Sequence, residues 1–342
     1  MIEAVIAWIL VLAVAAYACG GGTDYGAGFW DLVAGGADRG SAPRRLIDHA
    51  MAPVWEVNNV WLIFVLVLMW TGFPELFRIV FSAMWLPLAL AAVGLVLRGA
   101  GFALRKPTRR LAGRRVYGAA FAIASVLTPF FLGAAVGGVA TGKVGTGTTA
   151  SADAWSNPTS VIAGLLAVAA SAFLGAVFLT GDARRLGEDA LVGYFRRRGL
   201  LSLAVLAVLA LAGLRVTRDD ARHVHYGLTH GTGLVLVAVA AGCAVATVLL
   251  LLRGATTWSR GTALGSVALV VAAWGIAQRP YLVPTSLTVA EGAGSPATLR
   301  WLLIVTLIAV VLVGPALVFL YWLDTHGKLQ PLSDAELADE PS

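Results

Sequence analysis

Apolar residues in this chain come in blocks too long for the interior of a soluble helix bundle. Such windows lie at about 2–20, 54–72, 76–97, 116–140, 159–180, 199–215, 229–252, 261–278 and 299–323. Each predicts a spanning helix, because crossing a hydrocarbon core of about 30 Å takes roughly 20 apolar residues. The pattern therefore predicts an all-α integral membrane protein of about nine transmembrane helices, the sixth short and the eighth weakly bounded. Gly and Ala recur within the blocks, as they do where helices approach closely without a hydrophobic drive to associate.

Composition agrees. Of 342 residues, 58% are hydrophobic and only 13% charged, whereas a soluble domain is nearer half apolar and about a quarter charged. The net charge of +6 does not indicate nucleic acid, because the basic residues stand between apolar blocks and act as topology signals. Residues 2–18 hold no Lys or Arg, so the first block is expected to be a retained span rather than a cleaved signal. With the N-terminus outside, the inner segments take 18 of the 25 basic residues, including the cluster from Arg98 to Arg115 and Arg184, Arg185 and Arg196–Arg198. The positive-inside rule then predicts an external N-terminus and a cytoplasmic C-terminus. Residues 1–327 read as one transmembrane domain. Residues 328–342 form an acidic tail expected to be disordered, and the Gly/Thr/Ser-rich 141–157 reads as an external loop. Cys19 and Cys243 lie in or beside apolar runs and suggest no disulfide framework.

Against that background the polar residues inside spans stand out. The stretch Ala52–Phe77 carries Glu56, Asn58 and Asn59 in its opening turns. An ionisable residue in a membrane segment costs a few kcal/mol, so function and a nearby partner are the default expectation; a polar boundary is the other. Pro53 suits a first helical position, and Glu56 and Asn59 share a helical face, with Asn58 pointing elsewhere. GGGTDYGAGFWDL (Gly20–Leu32) places Asp24 and Asp31 among glycines, Asp24 being either a second inner-side acid or a helix cap after a broken span. The histidines, His49, His223, His225, His230 and His326, all fall in loops or at span edges, so the chain is expected to ligate no haem. HVHYGLTH (His223–His230) lacks a complete metal-ligand set and reads as a solvated loop. RPYLVPTS (Arg279–Ser286) has two prolines, which exclude a regular helix and predict a shaped loop.

Taken together, these segments resemble subunit II of the cytochrome bd-type quinol oxidases. The family's Gly-rich motif is close to TDYGAG (Thr23–Gly28), and its APxWDGNxxWL element appears as APVWEVNNVWL (Ala52–Leu62). Its Arg-x-x-x-Phe pattern appears as Arg98–Phe102, its fifth-span entry as NPTSVIAGLL (Asn157–Leu166), and its late GIAxxPxxxPSS element as GIAQRPYLVPTS (Gly275–Ser286). Order and span count agree along nearly the whole chain. Three positions depart: Glu56 replaces the family's Asp, Val57 its Gly, and Gly21 stands where an earlier acid is usual.

The resemblance implies two four-helix bundles plus a peripheral helix, in a bacterial plasma membrane. It implies a partner subunit I carrying haems b and d, with none ligated here, in a complex that oxidises quinol and reduces O2 to water. Lipid, small single-span subunits and a structural quinone are further associations it implies; nucleic acid is not among them. On this chain it places proton uptake on Glu56, Asp24 and Asn59, and a structural motif on Trp55, Asn58, Trp61 and Arg98. Arg98 is expected to end the third span and hold a carbonyl or carboxylate. The competing class is a secondary transporter or channel with a polar site in the second span, but the Glu56 pattern has no second copy in the chain.

Overall fold

The computed structural model describes residues 1–36, 40–51, 55–105, 111–144 and 152–325. The long helices are α1 (Ile2–Leu32), α5 (Trp85–Arg105), α6 (Leu111–Ala140), α7 (Pro158–Arg185), α8 (Asp189–Asp220), α10 (Gly231–Leu252), α11 (Thr256–Ala277) and α13 (Pro296–Thr325). Between them lie the shorter α2 (Ser41–Met51), α3 (Trp55–Val67), α4 (Pro74–Ala83), α9 (Arg222–Thr229) and α12 (Val289–Gly292), and two strands, β1 (Tyr281–Val283) and β2 (Leu287–Thr288). Among the described residues eight helices are long and apolar enough to cross a membrane, or nine if one bent pair counts as a span.

That bent pair is where the second and third apolar blocks meet. From α3 the chain passes through a π-helical turn at Leu68–Gly72, and α4 then departs at 117°. Pro74 opens α4 and has no N–H to continue the helical ladder, while Phe73 is fully buried and pins the corner. The expected third span, 76–97, is thus two elements: α4, which packs Leu76, Ile79, Val80 and Ala83 inward, and α5.

Other expectations need correction. α1 does not break at residue 20 but continues as regular helix through the Gly-rich motif to Leu32, so Asp24 is no cap. The sixth span is not short: α8 runs 32 residues, its first turns carrying the polar Arg196–Arg198 segment that truncated the apolar window. The histidine tract is not a loop but the helix α9. His223 Nε2 lies 3.1 Å from the Arg279 carbonyl, and its ring meets Tyr281 edge-on. The two prolines after α11 do exclude helix, and the segment forms the antiparallel β1–β2 hairpin. There the Thr288 amide and hydroxyl hold the Glu291 carboxylate below the ordinary range.

Within Met1–Gly294, α1 packs against α3, α6, α7 and α11, while α5 packs on α6, α6 on α7, α7 on α8 and α10 on α11. The seam between α1 and α7 is made by glycine. A Cβ on Gly26 would stand 1.9 Å from the Ser171 carbonyl oxygen, and one on Gly175 would stand 2.7 Å from the Gly26 Cα. Backbones this close gain dispersion contact that lipid cannot supply. Trp30 Nε1 donates to the Ala172 carbonyl at 2.8 Å across the same seam. Residues 295–342 form a second unit, described as far as Thr325, whose helix α13 is apolar along its length. The acidic tail, the loop 145–151 and Pro53 lie outside the described residues.

Candidate functional site

Deep between α1, α5 and α6 sits an ion pair that water hardly reaches. The Arg98 side chain is 4% exposed and that of Asp24 6%. Arg98 is not at the end of its span, as expected from the sequence, but two turns inside α5, and the carboxylate it was expected to hold is Asp24. Its Nη1 donates to Asp24 Oδ2 at 2.9 Å, and Nη2 meets Oδ1 at 2.8 Å and the Asp24 carbonyl at 3.1 Å. Nε donates to Ser125 Oγ at 3.1 Å, and Ser125 in turn donates to the Phe121 carbonyl. The guanidinium lies over the rings of Tyr25 and Phe121, with centroids at 4.8 and 5.2 Å. Bidentate Arg–carboxylate geometry with stacked faces is the arrangement in which Arg cannot be replaced by Lys.

α1 is shaped for this pair. Gly28 lets Ser125 approach: a Cβ there would lie 2.1 Å from Ser125 Oγ. Replacing Gly28 by Ala is therefore expected to push Ser125 off Arg98 Nε and lower the thermal stability of the solubilised protein by a few degrees, read by a melting curve. On the same helix Tyr17 and Tyr25 join hydroxyls at 2.7 Å.

The second-span residues divide differently from the expected face. Asn58 is 5% exposed and abuts α1 at Gly20, where a Cβ would stand 2.5 Å from Asn58 Oδ1. Asn59 is half-buried, and Ile63, on its face, is 60% exposed. Asn58, Val65 and Leu68 are thus the inward residues of this span. Trp61 is half-buried and meets Phe64 edge-on. Glu56 and Trp55 lie in the first turn of α3; their side chains lie outside the described residues.

Tyr17 also faces a cavity of about 440 Å³, walled mainly by apolar residues of α1, α3, α4, α6 and α11 and closed by the β1–β2 hairpin. Among its lining residues, Trp274 Nε1 and Gln278 Oε1 are buried without partners.

A model of the cytochrome bd terminal oxidase subunit II matches residues 2–324. The chain belongs to that family. Subunit 2 of the cytochrome bd-I ubiquinol oxidase of Escherichia coli K12 is 25% identical, with 92% of this chain and 91% of the relative aligned. A putative cytochrome bd menaquinol oxidase subunit II of Bacillus subtilis 168 is 22% identical over 87% and 88%. The bd oxidase structure from Geobacillus thermodenitrificans superposes with a TM-score of 0.80 at 26% identity, covering 94% of this chain and 98% of that one.

In the cytochrome bd family the haems are carried by another subunit. Among the described residues no group of three or more His, Cys, Asp and Glu converges. The described histidines sit in α2, in α9 and at the α9–α10 junction. Sequence reasoning missed Ser125 and the Tyr17–Tyr25 pair as members of the Asp24 site. The signal for Ser125 was faint: it lies 27 positions from Arg98 on the next long helix, α6, whose inward face only packing reveals.

Proposed function

We propose that this chain is the non-haem subunit of a bd-type oxidase, supporting the haem-bearing subunit I and taking protons from the cytoplasm. The complex oxidises quinol and reduces O2 to water, a reaction that consumes one proton for every electron; the partner's haems supply the electron chemistry. The observation that carries the reading is the buried Asp24–Arg98 pair, whose charges the apolar interior tolerates because they meet each other and are further held by Ser125 Oγ and the Asp24 carbonyl. Glu56 opens α3 and Asp24 lies on the antiparallel α1 beside it. Glu56 accepts a proton at its carboxylate and releases it inward. Asn59 and Asp24 provide the neighbouring polar stations, and Trp55 and Trp61 pack the entrance.

Orientation follows from the basic residues: the end of α1 carrying Asp24 faces the cytoplasm and the β1–β2 hairpin faces outward. A reporter active only outside the cytoplasm, fused after Ser342, is expected to be silent; activity there overturns the orientation. The cavity beside Tyr17 has the apolar walls that suit a structural quinone's chain, and the unpaired Trp274 Nε1 among its lining residues is a donor of the kind a quinone carbonyl accepts from. Small single-span subunits and lipid complete the expected assembly. The test of the subunit assignment is purification through a tag on this chain. A second membrane protein carrying the haem absorbance is expected to come with it, and the absorbance is expected to leave with that protein when the two are separated. Haem retained by the isolated chain contradicts the assignment.

A further inference from the structure

The edge formed by α8 and α10 combines free positive charge with bare apolar surface. No charged residue lies between Arg198 and Arg215 on α8, or from Gly231 to Leu252 on α10. At about 1.5 Å per residue these runs measure about 26 and 32 Å, close to the hydrocarbon thickness of about 30 Å. The chain reverses at α9, and a Cβ on Gly199 would stand 3.8 Å from Leu251 Cδ1. The Arg196–Arg198 end of α8 and the Arg253 end of α10 therefore share one membrane surface, at headgroup depth.

Arginine crowds that surface: residues 182–198 and 253–260 hold seven arginines against three carboxylates. Asp182 is taken by Arg185 and Arg260, and Arg198 lies over the Tyr194 ring. Arg184 Nη1 donates to the Gly254 carbonyl at 2.8 Å, which brings its guanidinium to the residue after Arg253. Gly254 is left-handed (φ 75°), and a Cβ there would stand 2.5 Å from that Nη1, so glycine both makes the α10–α11 turn and leaves room for the arginine. The side chains of Arg196, Arg197 and Arg253 have no partner among the described residues. The other two carboxylates, Glu188 and Asp189, stand two turns outward of Arg197, about 12 Å along α8. Below the free arginines, Arg197, Leu201, Val205 and Val208 make one exposed stripe of α8, and Arg253, Leu249 and Val245 one of α10. Trp258 is exposed in the first turn of α11 at the same surface, as aromatic residues are at headgroup level.

We propose that this edge binds an anionic phospholipid, with Arg184, Arg196, Arg197 and Arg253 around its phosphate and the two stripes along its acyl chains. A net negative headgroup is favoured because the guanidinium excess has no carboxylate of its own, and a zwitterionic lipid would bring a further cation into it. The site rests on this chain alone. Its assignment to the cytoplasmic leaflet rests on the orientation proposed above, which the reporter after Ser342 tests separately.

The experiment is native mass spectrometry of the delipidated two-subunit complex, titrated with phosphatidylglycerol or phosphatidylethanolamine of identical acyl chains. Phosphatidylglycerol is expected to bind about tenfold more tightly or better, and Arg253→Gln to weaken it about fivefold, the share of one arginine at a membrane surface. Arg196→Gln, Arg197→Gln and Arg253→Gln together are expected to erase the preference, whereas Arg218→Gln, at the opposite end of α8, leaves it intact. If the triple variant fails to assemble, read by haem absorbance, Arg253→Gln alone decides. Equal retention of the two lipids by the wild type overturns the site, and so does a preference that survives the triple substitution. Displacement of phosphatidylglycerol by millimolar inorganic phosphate also overturns it, because the apolar stripes would then contribute nothing. A map of the complex with a single-span polypeptide, and no lipid, on α8 and α10 would do the same.

Discussion

Replacing Arg98 by Met is expected to abolish accumulation of the assembled complex. The substitution keeps a long, flexible apolar stem but leaves the Asp24 carboxylate, 6% exposed, facing no cation. Removing one partner of a buried ion pair costs about 3–5 kcal/mol, most of it from the stranded charge, and a margin of about 5–15 kcal/mol of total stability makes that severe. Ser125 and the stacked rings of Tyr25 and Phe121 lose their partner in the same step. The double variant Arg98→Met with Asp24→Asn removes the stranded charge and is expected to regain much of the lost assembly. Arg98→Lys keeps the charge but cannot bridge both carboxylate oxygens and Ser125 together, so it is expected to fall between. Quantifying complex in membranes by immunoblot and haem absorbance decides it. Wild-type levels for Arg98→Met alone would show that the pair braces nothing.

An effect of similar size is expected at the α1–α7 seam. Gly26→Leu places a branched side chain where even a Cβ would lie 1.9 Å from the Ser171 carbonyl oxygen and 2.8 Å from the Gly175 amide nitrogen. Both obstacles are backbone, so no rotamer change relieves the overlap; α1 must move off α7. That displaces Trp30 from the Ala172 carbonyl and carries Asp24, half a turn away, with it. Overpacking that surrounding atoms can absorb costs about 1–3 kcal/mol, and here it cannot be absorbed. Loss of the folded protein from the membrane is the expected result, measured as protease resistance. Gly193→Ala, in open space on α8, serves as the control and is expected to leave resistance unchanged.

Span number and character were legible because bilayer thickness imposes a length on every apolar block. Helix ends were less so. α1 overran its window because Gly, Thr and Asp inside the bundle lower hydropathy without breaking a helix whose face they line. The 117° corner at Phe73 was hidden because apolar residues continue on both sides of it. Asp24 and Arg98 were both singled out by sequence, but 74 positions separate them, and only packing shows that they meet. Asn58 and Asn59 illustrate the limit most closely. Periodicity groups Asn59 with Glu56, yet which face turns inward depends on where α1 lies, and α1 lies against Asn58.

The central claim is that this subunit passes protons, and Glu56→Gln tests it most directly. Gln keeps nearly the shape and the hydrogen-bonding capacity of Glu but cannot take up and release a proton. Purified with its haem-bearing partner and supplied with excess quinol, the variant complex is expected to assemble normally. Its oxygen consumption is expected to fall about tenfold or more across roughly pH 6–8, toward the lower end of what a positioned acid–base group contributes. A complex that assembles and consumes oxygen at the wild-type rate throughout that range would contradict the proton role and leave Glu56 a brace for the start of α3.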